Sequence, residues 1–433
     1  MTAPAGPVVV QAPGDLVARW RAPGSKSHTN RVLAAAALAR GTSTVRGPLD
    51  ADDSQAMRAV VAGLGAGVDD RDPSAWQVRG VGGRPATPSG TLHARQSGTA
   101  LRFGAALASL ATGPVVVDGG DQLRRRPVGA LCAALRDLGA AARDVDGHPP
   151  VTVGGGLDGG AVTVDARASS QFASALLLAA PHARGDVTVT VQGLGAGAYV
   201  ELTATTLRAF GGQVARAADD RWTVAASGLR AATVTVDPDA SAAAHLLALA
   251  AATPGTVTVD GADPDDQPDA AVPDLLAAMG CAVRREGDAV TVTGPARLRP
   301  LEADLAALPD QVTTLGALAA LAEGTSRLTG VGVARGHETD RLAALRGELA
   351  KLGVTVDEEP DGLRVHGGAA RGPAVLDPHD DHRLAMAFAA LAARLPRVAV
   401  ADPGCVAKTY PRFWDDLAAG GLMVREASEE DLR

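Results

Sequence analysis

Repetition constrains this chain more than any other feature of it. An Ala/Leu-rich helical segment, a Gly or Pro break and a β-branched strand recur six times. The segments read RVLAAAALAR, ALRFGAALASLA, QFASALLLAAPHA, AAAHLLALAAA, VTTLGALAALA and RLAMAFAALAARL. The breaks fall at Gly41, Gly113, Gly185, Gly255, Gly324 and Pro396, roughly 70 residues apart. Between them lies a second helix that ends in a Gly-containing turn and leads to another strand: AVVAGLGAGV, ALCAALRDLGAAA, TLRAFGGQV, DLLAAMGCAV, LRGELAKLGVTV and WDDLAAGGLMV. Glycine is the residue expected just past a helix C-terminus, where φ turns positive. Units of this period are too long for a TPR or ankyrin array and too rich in strands. The pattern predicts an α/β (α+β) protein of two lobes, each built from three units.

At 433 residues the chain also exceeds what one hydrophobic core usually serves. The polar stretch VDPDAS, Val236 to Ser241, lies near the middle and reads as a crossover between lobes. A second crossover is expected near Arg21 to Gly24, because the N-terminal strand VVVQAP precedes the first unit and can complete a sheet of the last lobe. The expected lobes are therefore 22–237 and 1–21 with 238–433, with the ligand site in the cleft between them.

Composition narrows the function classes. Aromatic residues make up only 3% of the chain against 46% hydrophobic, so the cores must be packed from Ala, Val and Leu. No apolar run approaches the roughly 20 residues that span a bilayer. The start, MTAPAGPVVVQAPGD, lacks the basic and apolar regions of a secretory signal, so the expectation is a cytoplasmic protein. Cys132, Cys281 and Cys405 are scattered, which argues against a disulfide framework and against a zinc site. A net charge of −8 opposes association with nucleic acid or an anionic membrane face. Any anion must then be recognised locally, and the placement of cations becomes informative.

Those cations sit at helix starts. Ala22-Pro23-Gly24-Ser25-Lys26-Ser27-His28-Thr29-Asn30-Arg31 sets a turn, hydroxyls and two cations where a helix offers unbonded N–H groups and its positive dipole end. Ser25 or Ser27 can equally be a helix cap. Gln96-Ser97-Gly98-Thr99-Ala100-Leu101-Arg102 opens the second unit, and Gly98 allows close approach to the backbone. In Arg124-Arg125-Arg126-Pro127 one arginine can grip a carboxylate while the others face solvent. The third unit begins Ser169-Ser170-Gln171-Phe172. The fifth places Asp310 before its helix, where an N-cap role is the plain alternative, and carries Arg335-Gly336-His337-Glu338-Thr339-Asp340-Arg341 after the next strand. The sixth opens with Asp380-Asp381-His382-Arg383, and Ala407-Lys408-Thr409-Tyr410-Pro411 stands near the end. The fourth helix start, Asp239 to Ala244, carries little. His379 to His382 is a poor metal site, since consecutive helical residues diverge. Gly193-Leu194-Gly195-Ala196-Gly197 only imitates a dinucleotide loop, because the acidic pair Asp219 and Asp220 precedes the next strand instead of ending it.

The motifs Gly-Ser-Lys-Ser-x-x-Asn-Arg, Ser-Gly-Thr-Ala-x-Arg, Ser-Ser-Gln-Phe, Glu-Thr-Asp-Arg, Asp-His-Arg-x-Ala-Met and Ala-Lys-Thr-x-Pro occur in that order, about one per unit. Together they resemble the 5-enolpyruvylshikimate-3-phosphate synthase family over essentially the full length. The resemblance implies the two-lobed enolpyruvyl transferase fold, a monomer, and transfer of the enolpyruvyl group of phosphoenolpyruvate to shikimate 3-phosphate without metal or organic cofactor. It places Lys26, Ser27, Arg31, Ser169, Ser170, Gln171, Tyr199, Asp310 and His337 at shikimate 3-phosphate. It places Lys26, Gly98, Arg126, Gln171, Arg341, Arg383 and Lys408 around phosphoenolpyruvate.

For catalysis Asp310 and Glu338 are the base and acid candidates, open to exchange of roles, with Asp310 the expected acceptor of the attacking 5-hydroxyl proton. Glu338, with Lys26 nearby, protonates the methylene carbon of phosphoenolpyruvate. Such roles call for carboxyl pKa values moved toward working pH. Some positions depart from the family pattern: Ala196 where a phosphate-binding Ser is common, His337 and Val333 where many members carry Lys and Asn, and Gln122 where some have Arg. His337 reads as a substitute ligand whose protonation makes binding pH-sensitive near neutrality. The alternatives are the related UDP-N-acetylglucosamine enolpyruvyl transferase and a non-catalytic anion-binding relative. The first usually reads Gly-x-Lys-Asn and carries Cys where Asp121 stands, and the retention of Lys26, Asp310, Glu338 and Lys408 speaks against the second.

Overall fold

A computed structural model of the chain describes residues 6–14, 16–193, 197–264 and 267–431. Its strands alternate Val with Thr: VTVTVQ at Val187–Gln192 and TVTVD at Thr256–Asp260 bury every valine and leave the threonines half-buried. That period of two fits a sheet with one face on a core. The Thr faces hold register by hydroxyl pairs across strands, Thr188 with Thr223 at 3.1 Å and Thr258 with Thr291 at 2.8 Å.

The strands of the described residues form six sheets of four. Each has one plan, a parallel pair followed by two strands added antiparallel. In the third unit Gly160–Asp165 runs parallel to Val187–Gln192, which pairs antiparallel with Arg221–Val224 and that in turn with Val214–Ala218. Three sheets borrow a strand from a distant part of the chain. Thr233–Thr235 runs parallel to Thr42–Arg46 and completes the first sheet. Val17–Arg21 runs parallel to Thr256–Asp260 and opens the fourth. Val8–Gln11 inserts antiparallel between Val398–Val400 and Met423–Glu426 in the sixth.

The Ala/Leu-rich segments are helices that are almost wholly buried. Gly98–Ala108 and Ala240–Ala252 bury every residue, and Lys26–Leu38 buries all but its first two. A helix apolar all round must lie inside its domain. Ala-rich surfaces let such helices approach closely, which is how a chain so poor in aromatics fills its cores. The second helix of each unit is followed by a glycine with φ between 78° and 99°, at Gly65, Gly139, Gly211, Gly280, Gly353 and Gly421. That is the left-handed region the repeat pattern anticipates.

The chain divides into two compact units. One is Gly24–Asp237; the other joins the described residues before Gly24 to those from Pro238 onward. Each has its own apolar core. In the first, helices Lys26–Leu38, Gly98–Ala108 and Gln171–Ala179 pack on one another; in the second, Ala240–Ala252, Val312–Leu321 and His382–Arg394 do so. No helix among the described residues is long and apolar enough to cross a membrane.

Candidate active site

In the unit Gly24–Asp237 the first motif forms the turn into helix Lys26–Leu38. A Cβ on Gly24 would lie 2.4 Å from the Gly47 carbonyl, so this approach needs glycine. Ser25, not Ser27, is the cap: its Oγ accepts from the His28 N–H at 3.3 Å. Lys26 Nζ sits 3.4 Å from the buried Asp53 carboxylate. Arg31 is 2% exposed and bonds inward. It donates to Ser27 O at 2.9 Å, Tyr199 O at 2.9 Å, Thr203 Oγ1 at 2.8 Å and Ser174 Oγ at 3.1 Å. Burial brings its pKa down to about 10, which leaves it charged. Arg31 thus fixes the backbone of two segments that carry candidate residues.

The second and third motifs are joined by a residue the sequence reading left without a role. Arg102, 2% exposed, donates from Nη1 to Gln171 Oε1 at 2.8 Å and to Ser169 Oγ at 3.3 Å, and from Nη2 to Pro127 O at 3.2 Å. Engaging Oε1 leaves the Gln171 amide NH2 as the group it can present to a ligand. In the arginine run only Arg126 turns inward. It is 8% exposed, whereas Arg124 is half exposed and pairs with Asp118 at 2.6 Å. Gly98 makes room for it, since a Cβ there would lie 2.8 Å from Arg126 Nη1.

The other unit gathers the remaining candidates around Arg341, which is 1% exposed. Its Nη1 donates to Asp310 Oδ1 at 2.5 Å, Nη2 to Glu338 Oε2 at 2.9 Å and Nε to Asp381 Oδ2 at 2.7 Å. Arg383 Nη2 lies 3.1 Å from Asp310 Oδ2, and Lys408 Nζ lies 3.3 Å from Glu338 Oε1. Three cations and three carboxylates, two of the carboxylates largely shielded and Asp381 wholly so, form one network. Asp310 is not the cap of its helix; it sits in the turn Pro309–Gln311 and faces the arginines. Caps are made instead by Asp340, which accepts from Leu342 and Ala343 N–H, and Asp381, which accepts from Arg383 N–H.

Two electrostatic expectations need correction. Asp310 is not moved toward working pH. Burial pushes its carboxyl up, but the guanidiniums of Arg383 and Arg341, with His337, outweigh it and hold the group well below the usual carboxylate range. His337 lies 3.1 Å from Asp310 Oδ1, yet burial lowers its pKa, so its protonation falls on the acid side of neutrality.

Other residues settle without a site role. Tyr410 is buried and donates to Asp416 at 2.8 Å. Burial raises Cys132 to about 12 and Cys281 to about 11, and Cys405 rises further, so these thiols stay protonated. His379 to His382 diverge: His379 Nε2 reaches Glu348 at 3.2 Å and Asp381 holds Arg341. Ala196, and Leu194 and Gly195 of the glycine loop, lie outside the described residues.

Residues 10–417 match the family described as EPSP synthase (3-phosphoshikimate 1-carboxyvinyltransferase). The chain belongs to the EPSP synthase family. The 3-phosphoshikimate 1-carboxyvinyltransferase of Methanosphaerula palustris is 42% identical over 421 residues, 96% of this chain and 99% of that protein. The enzyme of the same name from Syntrophobacter fumaroxidans is 42% identical over 405 residues, 92% of this chain and 96% of its own length. The solved EPSP synthase from Acinetobacter baumannii superposes with a TM-score of 0.81 at 25% identity, covering 98% of this chain and 100% of that one. The enolpyruvyl transferase NikO from Streptomyces tendae shares the fold, with a TM-score of 0.78 at 21% identity over 98% of this chain and 99% of its own. The chain is an enzyme of the enolpyruvyl transferase fold.

Proposed function

We propose that this protein transfers the enolpyruvyl group of phosphoenolpyruvate to the 5-hydroxyl of shikimate 3-phosphate, releasing phosphate, in aromatic amino-acid biosynthesis. The observation that carries the proposal is the network around Arg341, in which Asp310 and Glu338 are set against three buried cations. Two polyanions have to be brought together, and fixed cations offset their repulsion better than water can. Arg341, Arg383 and Lys408 hold phosphoenolpyruvate with Arg126, Gly98, Gln171 and Lys26. Ser27, Ser169, Ser170, Gln171, Tyr199 and His337 hold shikimate 3-phosphate, and Arg31 acts through the backbone of Ser27 and Tyr199.

The depressed pKa of Asp310 belongs to the protein without substrate. Anionic substrate that takes over Arg341 and Arg383 weakens their hold on Asp310, and its own negative charge raises the carboxyl further. Asp310 then accepts the hydroxyl proton as oxygen bonds to C2 of phosphoenolpyruvate, and Glu338 protonates C3. The resulting tetrahedral adduct loses phosphate and one methyl proton to give the enol ether. Proton transfers and electrostatic stabilisation suffice, so the proposed reaction needs neither metal nor organic cofactor. The enzyme works in the cytoplasm as a monomer.

Phosphate release from phosphoenolpyruvate tests this. The proposal expects release with shikimate 3-phosphate and none with UDP-N-acetylglucosamine. Release only with the UDP-sugar, or with neither, overturns it. Asp310→Asn and Glu338→Gln should each bind both substrates and lose turnover by on the order of a hundredfold or more; near-normal turnover in both would remove the assigned roles.

A further inference from the structure

A buried histidine lies behind the Asp310 network and takes no part in the reaction proposed above. His245 sits on the fully buried helix Ala240–Ala252 and is 1% exposed. Its Nδ1 is 3.2 Å from Thr314 Oγ1, and Thr314 Oγ1 donates to Gln311 Oε1 at 2.9 Å. A hydroxyl has one proton. With that proton given to Gln311, Thr314 accepts from the imidazole, which assigns the His245 proton to Nδ1. The bonds run one way, from His245 through Thr314 to Gln311, which is wholly buried.

Gln311 closes the turn Pro309–Gln311 that presents Asp310. The backbone of the turn is tied at the same place: Thr313 Oγ1 donates to Asp310 O at 3.1 Å, and Gln311 N donates to Leu308 O at 3.0 Å. Asp310 must stand where it meets Arg341 and Arg383 without substrate and the hydroxyl proton with it. We propose that His245, as the neutral Nδ1–H tautomer, is a positioning residue for Asp310, acting through Thr314 and Gln311. The charges of Arg341, Arg383 and Asp310 face it, the two arginines opposing its protonation and Asp310 favouring it. Burial acts with the arginines and keeps it neutral.

The inference rests on the enolpyruvyl transfer proposed above, and its test separates the two. Wild-type protein, His245→Phe, His245→Asn, Thr314→Val and the His245→Phe/Thr314→Val double variant are assayed for phosphate release with shikimate 3-phosphate and phosphoenolpyruvate. If the wild type is inactive, the reaction itself is wrong. Given an active wild type, His245→Phe, which keeps bulk and removes the donor, should lower kcat by on the order of tenfold or more. KM for phosphoenolpyruvate should stay near the wild-type value, since the phosphoenolpyruvate cations are untouched. His245→Asn, whose amide can donate where Nδ1 does, should recover most of the loss. The double variant should be no worse than the poorer single variant, because both break one chain. Wild-type kcat in His245→Phe, failure of Asn to recover activity, or additive losses in the double variant would each overturn the role. Should His245→Phe fail to fold, Thr314→Val, nearly isosteric, carries the kcat test alone.

Discussion

At the scale of single residues, the proposed reaction divides the buried arginines into those that would meet substrate and those that hold the residues that would. Arg102 grips Gln171 and Ser169 and sits on the ring of Phe172 at 5.1 Å. Arg102→Met should keep the fold and lower kcat/KM by roughly 10- to 100-fold, measured by steady-state kinetics, because Gln171 loses its orientation. Gly98→Ala should raise KM for phosphoenolpyruvate by displacing Arg126, whose guanidinium already fills the space a Cβ would take; an unchanged KM would mean that Arg126 yields at no cost. Much of this was legible in the sequence: Lys26, Gly98, Ser169, Gln171, Glu338, Arg341 and Arg383 all stand in motifs that open helices. Asp53, Asp381, Arg102 and His245 escaped a role because their importance lies in partners far along the chain. Asp53 meets Lys26 across 27 residues and Asp381 meets Arg341 across 40, and no spacing rule announces such pairs. The directions of the Asp310 and His337 shifts were equally hidden, since they depend on which of several charges stands nearest.

At the scale of elements, Asp381 couples a helix to the network. It caps His382–Arg394 through the Arg383 N–H at 2.9 Å and binds Arg341 through both oxygens at 2.7 and 3.3 Å. Asp381→Ala removes a cap and leaves a buried guanidinium one partner short, a loss of about 3 to 5 kcal/mol by analogy with broken buried ion pairs. Denaturant unfolding should show the midpoint falling accordingly, and a shift no larger than that of an exposed pair such as Arg425 with Asp431 would contradict it. The repeat made the helices and their glycine turns readable, because both follow from local periodicity and local φ. It did not reveal that Val17–Arg21 opens the fourth sheet or that Thr233–Thr235 closes the first, since strand partners are chosen by long-range pairing of similar Val/Thr runs.

At the scale of the whole molecule, the histidines make stability depend on pH. Burial holds His245 and His337 below the ordinary value of about 6.5, and His182 down to about 4. The unfolded chain therefore binds more protons than the folded one below about 6.5, and stability must fall as pH drops through that value. Asp310, depressed, adds stability above its unfolded value of about 3.9 that is lost as pH falls further. Thermal melts should show Tm declining from pH 7 to 5 in the wild type and declining less in His245→Phe. The reaction itself is tested most directly by running it in D2O with phosphoenolpyruvate and shikimate 3-phosphate and weighing the product. Protonation of C3 followed by loss of a methyl proton predicts an enol ether carrying deuterium in its vinyl group, formed by the wild type and lost together with turnover in Glu338→Gln. No enol ether, or one free of deuterium, would contradict the account.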